Sequence, residues 1–212
     1  MSNLLRYAKN QKYLCFDFET CGLNLVDPDN KPWQLSYLIA EGSNILDRSD
    51  NFIWWENLKI SPEAAAVTRF NFNTYKELAK DPAPILEEFD KFLYDDSYLI
   101  VGQNVIGFDI YVHNIYRKLL GKKPNFSYLE RVIDTNCLAR AIKKNFRPQP
   151  DEKLITWQYK LAGFREKGLK TSSKVLLKDY NIEFDENKLH DSMYDVEMTY
   201  KIFNKQIWEL DI

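Results

Sequence analysis

Residues 12–19, KYLCFDFE, alternate: Leu14, Phe16 and Phe18 fall on one face, and Cys15, Asp17 and Glu19 on the other. Side chains of a β-strand alternate in this way, so the pattern predicts a strand carrying two carboxylates on one face of an otherwise apolar run. A solvent-facing edge pair is the alternative, and the flanking Phe and Leu argue against it. Gly22 follows as a turn. Further strands are predicted at 33–40 (WQLSYLIA) and 51–55 (NFIWW), which together with the first form an antiparallel meander.

The pattern then changes. SPEAAAV predicts a short helix capped by Ser61 with Pro62 in its first turn. Ile85, Leu86, Phe89 and Leu93 recur at helical spacing, giving a helix over 82–94. SYLIVGQN predicts a buried strand, and FDIYVHNIYRKLLG a helix ended by Gly121. A strand-to-helix transition falls at Asp134, and amphipathic pieces follow at 153–162 and 172–180. The last helix runs from Ser192 to Trp208, with Met193, Val196, Tyr200, Phe203 and Ile207 as its apolar stripe. Strands first, then alternating strands and helices, predict an α/β protein with a mixed sheet flanked by helices. The length of 212 residues, with no internal repeat, suits one domain spanning 1–212. Within it lie an N-terminal extension (1–11) and a basic helical region (140–178).

Asp17 and Glu19 are joined by two further acids in sequence-distant segments, Asp109 in GQNVIGFDI and Asp195 in LHDSMYDVEMT, the latter five residues after His190. Taken singly, Asp109 reads as a helix cap, Asp195 as an ordinary helical acid and His190 as structural. A fold that gathers them puts four carboxylates and an imidazole in one pocket, where they cannot all ionise unless cations are present. Hard oxygen ligands select Mg²⁺ or Mn²⁺ over zinc, which points to metal-assisted phosphoryl transfer. His113 reads as a packing residue and Asp134 as structural.

Charge is distributed unevenly. Between Arg140 and Lys178, eleven Lys and Arg stand against three Asp and Glu, so a local charge of +8 is set against −10 on the remainder of a chain whose total is −2. A basic segment beside an acidic pocket suits a phosphodiester substrate, and a solvated lysine-rich face is the alternative. Three cysteines without CxxC spacing predict reduced, buried thiols in a cytoplasmic protein. No apolar run approaches the length of a transmembrane helix.

FDFET, GQNVIGFD, IDTNCLAR and HDSMYD, in that order, resemble the motifs of the DEDD superfamily of 3′–5′ exonucleases, and His190 matches its DnaQ-like histidine branch. The tyrosine branch would place its tyrosine at position 191, which is Asp191. The resemblance runs from Tyr13 to Phe203, and ISPEAAAVTRFN is similar to the stretch that follows the third strand in such enzymes. There are two departures. Three residues separate Gln103-Asn104 from Phe108-Asp109, where the histidine branch usually has two, a spacing more like family B proofreading domains. Val67-Thr68-Arg69-Phe70 stands in place of a V-H-G-I-like turn.

The resemblance implies a ribonuclease-H-like, five-stranded mixed sheet and a two-metal phosphodiesterase. Asp17, Glu19, Asp109 and Asp195 would hold two Mg²⁺ or Mn²⁺ ions, and His190 would act as general base. Thr20, Gly22, Leu23, Asn104, Phe108 and Phe70, together with Trp157, would contact the substrate, while Lys143 and Lys144 would track its backbone. The implied partner is single-stranded DNA or RNA with a free 3′ end. A polymerase or a second copy of the chain remains open as a protein partner. Two other readings stay in view: a catalytically silent nucleic-acid-binding module and a structure-specific endonuclease of the same fold.

Overall fold

The computed structural model describes residues 5–210 and 212. Residues 1–4 of the N-terminal extension lie outside them. Its remainder is packed down: Leu5 is buried and exchanges backbone hydrogen bonds with Ile212, and Tyr7 stacks on Trp208.

The described residues form one sheet in the order β3-β2-β1-β4-β5, built from β1 (Lys12–Thr20), β2 (Pro32–Glu41), β3 (Asn44–Phe52), β4 (Tyr98–Gly102) and β5 (Val132–Asp134). The first three are antiparallel, and β4 and β5 run parallel to β1. This is the mixed, ribonuclease-H-like sheet expected. Around it lie α1 (Pro62–Thr68), α2 (Phe72–Leu78), α3 (Pro82–Leu93), α4 (Asp109–Leu119), α5 (Thr135–Lys144), α6 (Leu154–Gly163), α7 (Ser173–Asp179) and α8 (Ser192–Leu210).

Alternation along β1 divides the core. Leu14, Phe16 and Phe18 pack with Leu86 and Phe89 of α3 and Ile110 and Tyr116 of α4. Tyr13 and Cys15, on the opposite face, pack with Val196, Tyr200 and Phe203 of α8 and Leu138 of α5. Asp17 and Glu19 continue this second face toward the C-terminal end of the strand.

Two expectations are corrected. The third strand lies at Asn44–Phe52, not 51–55, because the sequence NILDRSDNF is an edge strand satisfied by its ladder to β2 and largely open to water. No residue of this strand is fully buried, so it shows neither an apolar run nor the clean alternation of a strand with one packed face. The helix Phe72–Leu78 was not expected; Asn71 caps it by accepting from the backbone N–H groups of Asn73 and Thr74.

Candidate active site

The pairing of β1 with β4 ends at Cys15–Val101, so Asp17 and Glu19 overhang the end of β4. The chain turns away there because Gly102 permits it: a β-carbon at this position would stand 2.8 Å from Cβ of Val105. The turn is then clamped by Asp134, a buried carboxylate at the end of β5. Its Oδ1 accepts from Asn104 N at 3.0 Å and its Oδ2 from Ile106 N at 3.1 Å, while Oδ1 also caps α5 through Asn136 N at 2.9 Å and Cys137 N at 3.3 Å. Asn104 sits in the left-handed region, φ 59°. This clamped turn delivers Asp109 as the first residue of α4, rather than as its cap.

At the other wall, Asp195 occupies the first turn of α8, and its Oδ2 accepts from the backbone N–H of His190 at 3.0 Å. His190 holds a left-handed conformation, φ 72°, and its side chain is exposed. Asp17, Glu19, Asp109, Asp195 and His190 thus line one cavity of about 660 Å³ at the C-terminal ends of the parallel strands. Open α/β sheets present their ligand crevices at that end.

The carboxylates perturb one another. Asp17 is pushed up to about 7 by burial and by the charge of Asp195, and Glu19 to about 9 by burial and by Asp17, Asp195 and Asp191. Burial, then Asp17, holds Asp109 well above the ordinary carboxylate range. Asp195 rises to about 6 by burial, opposed by the His190 N–H and the nearby imidazole. Asp17 and Glu19 keep a partly open face toward the cavity, yet protein encloses them closely enough for burial to be the leading cause.

Four negative groups in one low-dielectric wall repel one another unless protonated or neutralised. Oδ1 of Asp195 is buried without a hydrogen-bond partner. Among the described residues, no group of three or more His, Cys, Asp and Glu side chains is arranged to hold a metal ion. The donor set is nevertheless all hard oxygen, with an unpaired acceptor and uncompensated charge, and so fits divalent cations.

Of the substrate residues expected, Thr20, Gly22, Leu23, Asn104 and Phe108 also line the cavity. A β-carbon at Gly22 would meet no atom within 4 Å, so the backbone there is open to a ligand. Phe70 does not line it. Its ring packs edge-on against Trp33, with centroids 4.9 Å apart, in a small cluster with Tyr75. Trp157 is buried in the core between α5, α6 and α8, so it offers no stacking face.

Lys143 and Lys144 also stand apart from the cavity. Lys143 pairs with Asp179 at 2.6 Å and Lys144 with Glu166. Lys153, Lys160, Lys174 and Lys178 are likewise paired with acids. Counting charge along the chain missed this because Asp179, Glu130 and Glu186 lie outside the basic segment. His113 serves packing, as expected: it is fully enclosed between Asp90 and Tyr128.

Sequence reasoning missed most of one wall. Ser61, Glu63, Ala64, Val67 and Thr68 line the cavity, together with Gln103 and Ser173. The available signal was the stretch ISPEAAAVTRFN, which spans Ser61 to Thr68; in the structure its helix has no buried residue and an exposed Val67.

A model of the RNase T family, described as an exonuclease, matches residues 14–203. The chain belongs to the RNase T exonuclease family, within the DEDD superfamily. A search of curated proteins found no match. Solved structures share the fold. The complex of E. coli exonuclease I with a dA16 oligonucleotide superposes with a TM-score of 0.72 at 17% identity, over 92% of this chain and 40% of that one. A zinc-bound complex of E. coli exonuclease I with ssDNA gives 0.72 at 18% identity, over 92% and 40%. A product-bound exonuclease I gives 0.70 at 16%, over 93% and 43%. The chain therefore spans about two fifths of the length of the exonuclease I chains it matches. All three cysteines are free and buried, and no helix among the described residues is long and apolar enough to cross a membrane.

Proposed function

We propose that this domain hydrolyses the terminal phosphodiester bond at the 3′ end of single-stranded nucleic acid, releasing nucleoside 5′-monophosphates. One observation carries the reading: four carboxylates and an imidazole from three separate elements line a single cavity, and one buried carboxylate oxygen has no protein partner.

Asp17, Glu19 and Asp195 would hold one divalent ion and Asp109 a second, with Mg²⁺ or Mn²⁺ matching the oxygen donors. When bound, such ions activate a water and neutralise charge on the scissile phosphate and the departing oxygen. An imidazole nitrogen of His190 takes the proton from the attacking water. The water oxygen bonds to phosphorus, the P–O3′ bond breaks, and the departing 3′-oxygen takes up a proton from solvent, so the shortened strand leaves with a 3′-hydroxyl. The left-handed backbone at His190 and its N–H bond to Asp195 hold the base beside the acids. Leu23 and Phe108 offer apolar contact to the terminal nucleotide, and the open backbone at Gly22 leaves room for its sugar.

Calorimetric titration with Mn²⁺ tests the cation reading. Binding that Asp17→Ala weakens supports it, and no heat from the wild-type protein would return the domain to a silent binding module.

A further inference from the structure

The loop between β1 and β2 presents two of the most exposed apolar side chains among the described residues, Leu23 at 85% and Val26 at 87%. A single exposed leucine is ordinary. The support beneath this one is not. Asn30, only 3% exposed, holds the backbone on both sides of Leu23. Its Oδ1 accepts from Gly22 N at 3.0 Å, and its Nδ2 donates to the Asn24 carbonyl at 2.9 Å. Its own N–H donates to the Asp27 carbonyl at 3.1 Å.

The base of the loop is closed by Cys21 N donating to the Lys31 carbonyl at 3.1 Å, and by Thr20 Oγ1 donating to the Gly22 carbonyl at 2.6 Å. The primary amide supplies an acceptor for one strand of the loop and a donor for the other from two separate atoms. Leucine at position 23 is thereby held in the cavity wall before any ligand arrives.

We infer that Asn30 is a positioning residue for the substrate's terminal nucleotide: its buried amide preorganises residues 22–24 so that Leu23 stands ready as an apolar contact for the end base. The inference rests on nucleic acid being the ligand of this cavity, as proposed above. Preorganisation raises affinity by removing the ordering cost from the binding step. Without the amide, the loop must be ordered each time a strand enters.

The test is a double-mutant cycle on binding. A 5′-fluorescein single-stranded oligonucleotide whose last linkage is a phosphorothioate, which slows cleavage, is titrated in Mn²⁺ and read by anisotropy. Asn30→Ala is expected to weaken binding roughly ten-fold, equivalent to about 1.4 kcal/mol. In a Leu23→Ala background the same substitution is expected to add almost nothing, because residues acting through one another are not additive. Asn30→Asp keeps the acceptor for Gly22 N and loses the donor to Asn24, so it falls between, and it carries the test if Asn30→Ala unfolds.

Unchanged affinity in both Asn30 variants would overturn the inference, as would full additivity with Leu23→Ala, which marks a general structural role. A wild-type protein that binds the strand but never cleaves the unmodified one removes the exonuclease reading and leaves this test intact. A wild-type protein that binds no strand removes both.

Discussion

The backbone N–H of Phe18 donates to Oδ1 of Asp109 at 3.1 Å. Phe18 lies between Asp17 and Glu19, so this bond fastens the first residue of α4 to the middle of the acidic stretch of β1. Three of the four carboxylates are thus fixed relative to one another by main chain. Phe18 contributes its ring to the opposite, apolar face, where it meets Phe16, Phe89 and Tyr116 edge-on. Core packing on one side of the sheet therefore sets carboxylate placement on the other.

The raised carboxylates make stability fall with pH when cations are removed. Asp195, Asp17 and Glu19 have folded values of about 6, 7 and 9 against ordinary values of 3.8, 3.8 and 4.5. Below about pH 4 both folded and unfolded states hold these protons. As pH rises, the unfolded chain releases them first, so stability is lost progressively up to about pH 9. In EDTA the melting temperature is expected to fall across that window, and Asp195→Asn to flatten the decline. Mn²⁺ at about a hundred times its Kd should raise it by roughly 5–10 °C at neutral pH. Scanning fluorimetry reads both; a melting temperature that rises with pH in EDTA contradicts the account.

Asp17→Ala and His190→Ala should fail in different ways. Asp17→Ala is expected to lower turnover by roughly 10³-fold or more and to weaken Mn²⁺ binding, while the protein stays folded. His190→Ala should lower kcat by about 10²–10⁴-fold with Mn²⁺ binding retained. Calorimetry paired with steady-state rates separates the two, and equal metal affinity in both variants would refute the division of roles.

Neutralising the paired lysines should matter little. Lys143→Ala with Lys144→Ala removes two ion pairs that do not line the cavity, each worth about 0–1 kcal/mol. KM and its salt dependence are expected to stay as in the wild type. A flattened salt slope would place the phosphate backbone on this face after all.

Asp134→Ala should destabilise the protein by about 3 kcal/mol, because it orphans backbone donors in both the Asn104–Ile106 turn and the start of α5. Urea denaturation measures the loss. A change below about 0.5 kcal/mol would show that the turn holds itself.

Only the Asp17 and Glu19 pair interrupts a pattern, as two carboxylates in an apolar strand; Asp109, Asp195 and His190 look ordinary singly and were legible through the order of the motifs that carry them, and the structure brings all five to one cavity. The sheet was legible because β1, β2 and β4 are buried and strongly apolar. β3 was misplaced because an edge strand lets polar residues such as Asp47, Arg48 and Asp50 face water, and the neighbouring Trp54 and Trp55 gave a stronger apolar signal. Phe70 and Trp157 looked like stacking platforms because a lone sequence cannot show that Trp33 covers one and the α6 packing the other. Asn30 gave no sequence signal, because a buried asparagine in a polar loop resembles an exposed one until its two partners are seen.

The most direct measurement uses 5′-labelled single-stranded DNA and RNA, each with a free and a blocked 3′ end, incubated in Mn²⁺ and in EDTA beside Asp17→Ala. The expected result is a ladder that shortens from the 3′ end and disappears with the block, with EDTA and in the variant. Oligonucleotides left intact by the wild-type protein in Mn²⁺, or internal cuts that ignore the block, would contradict it.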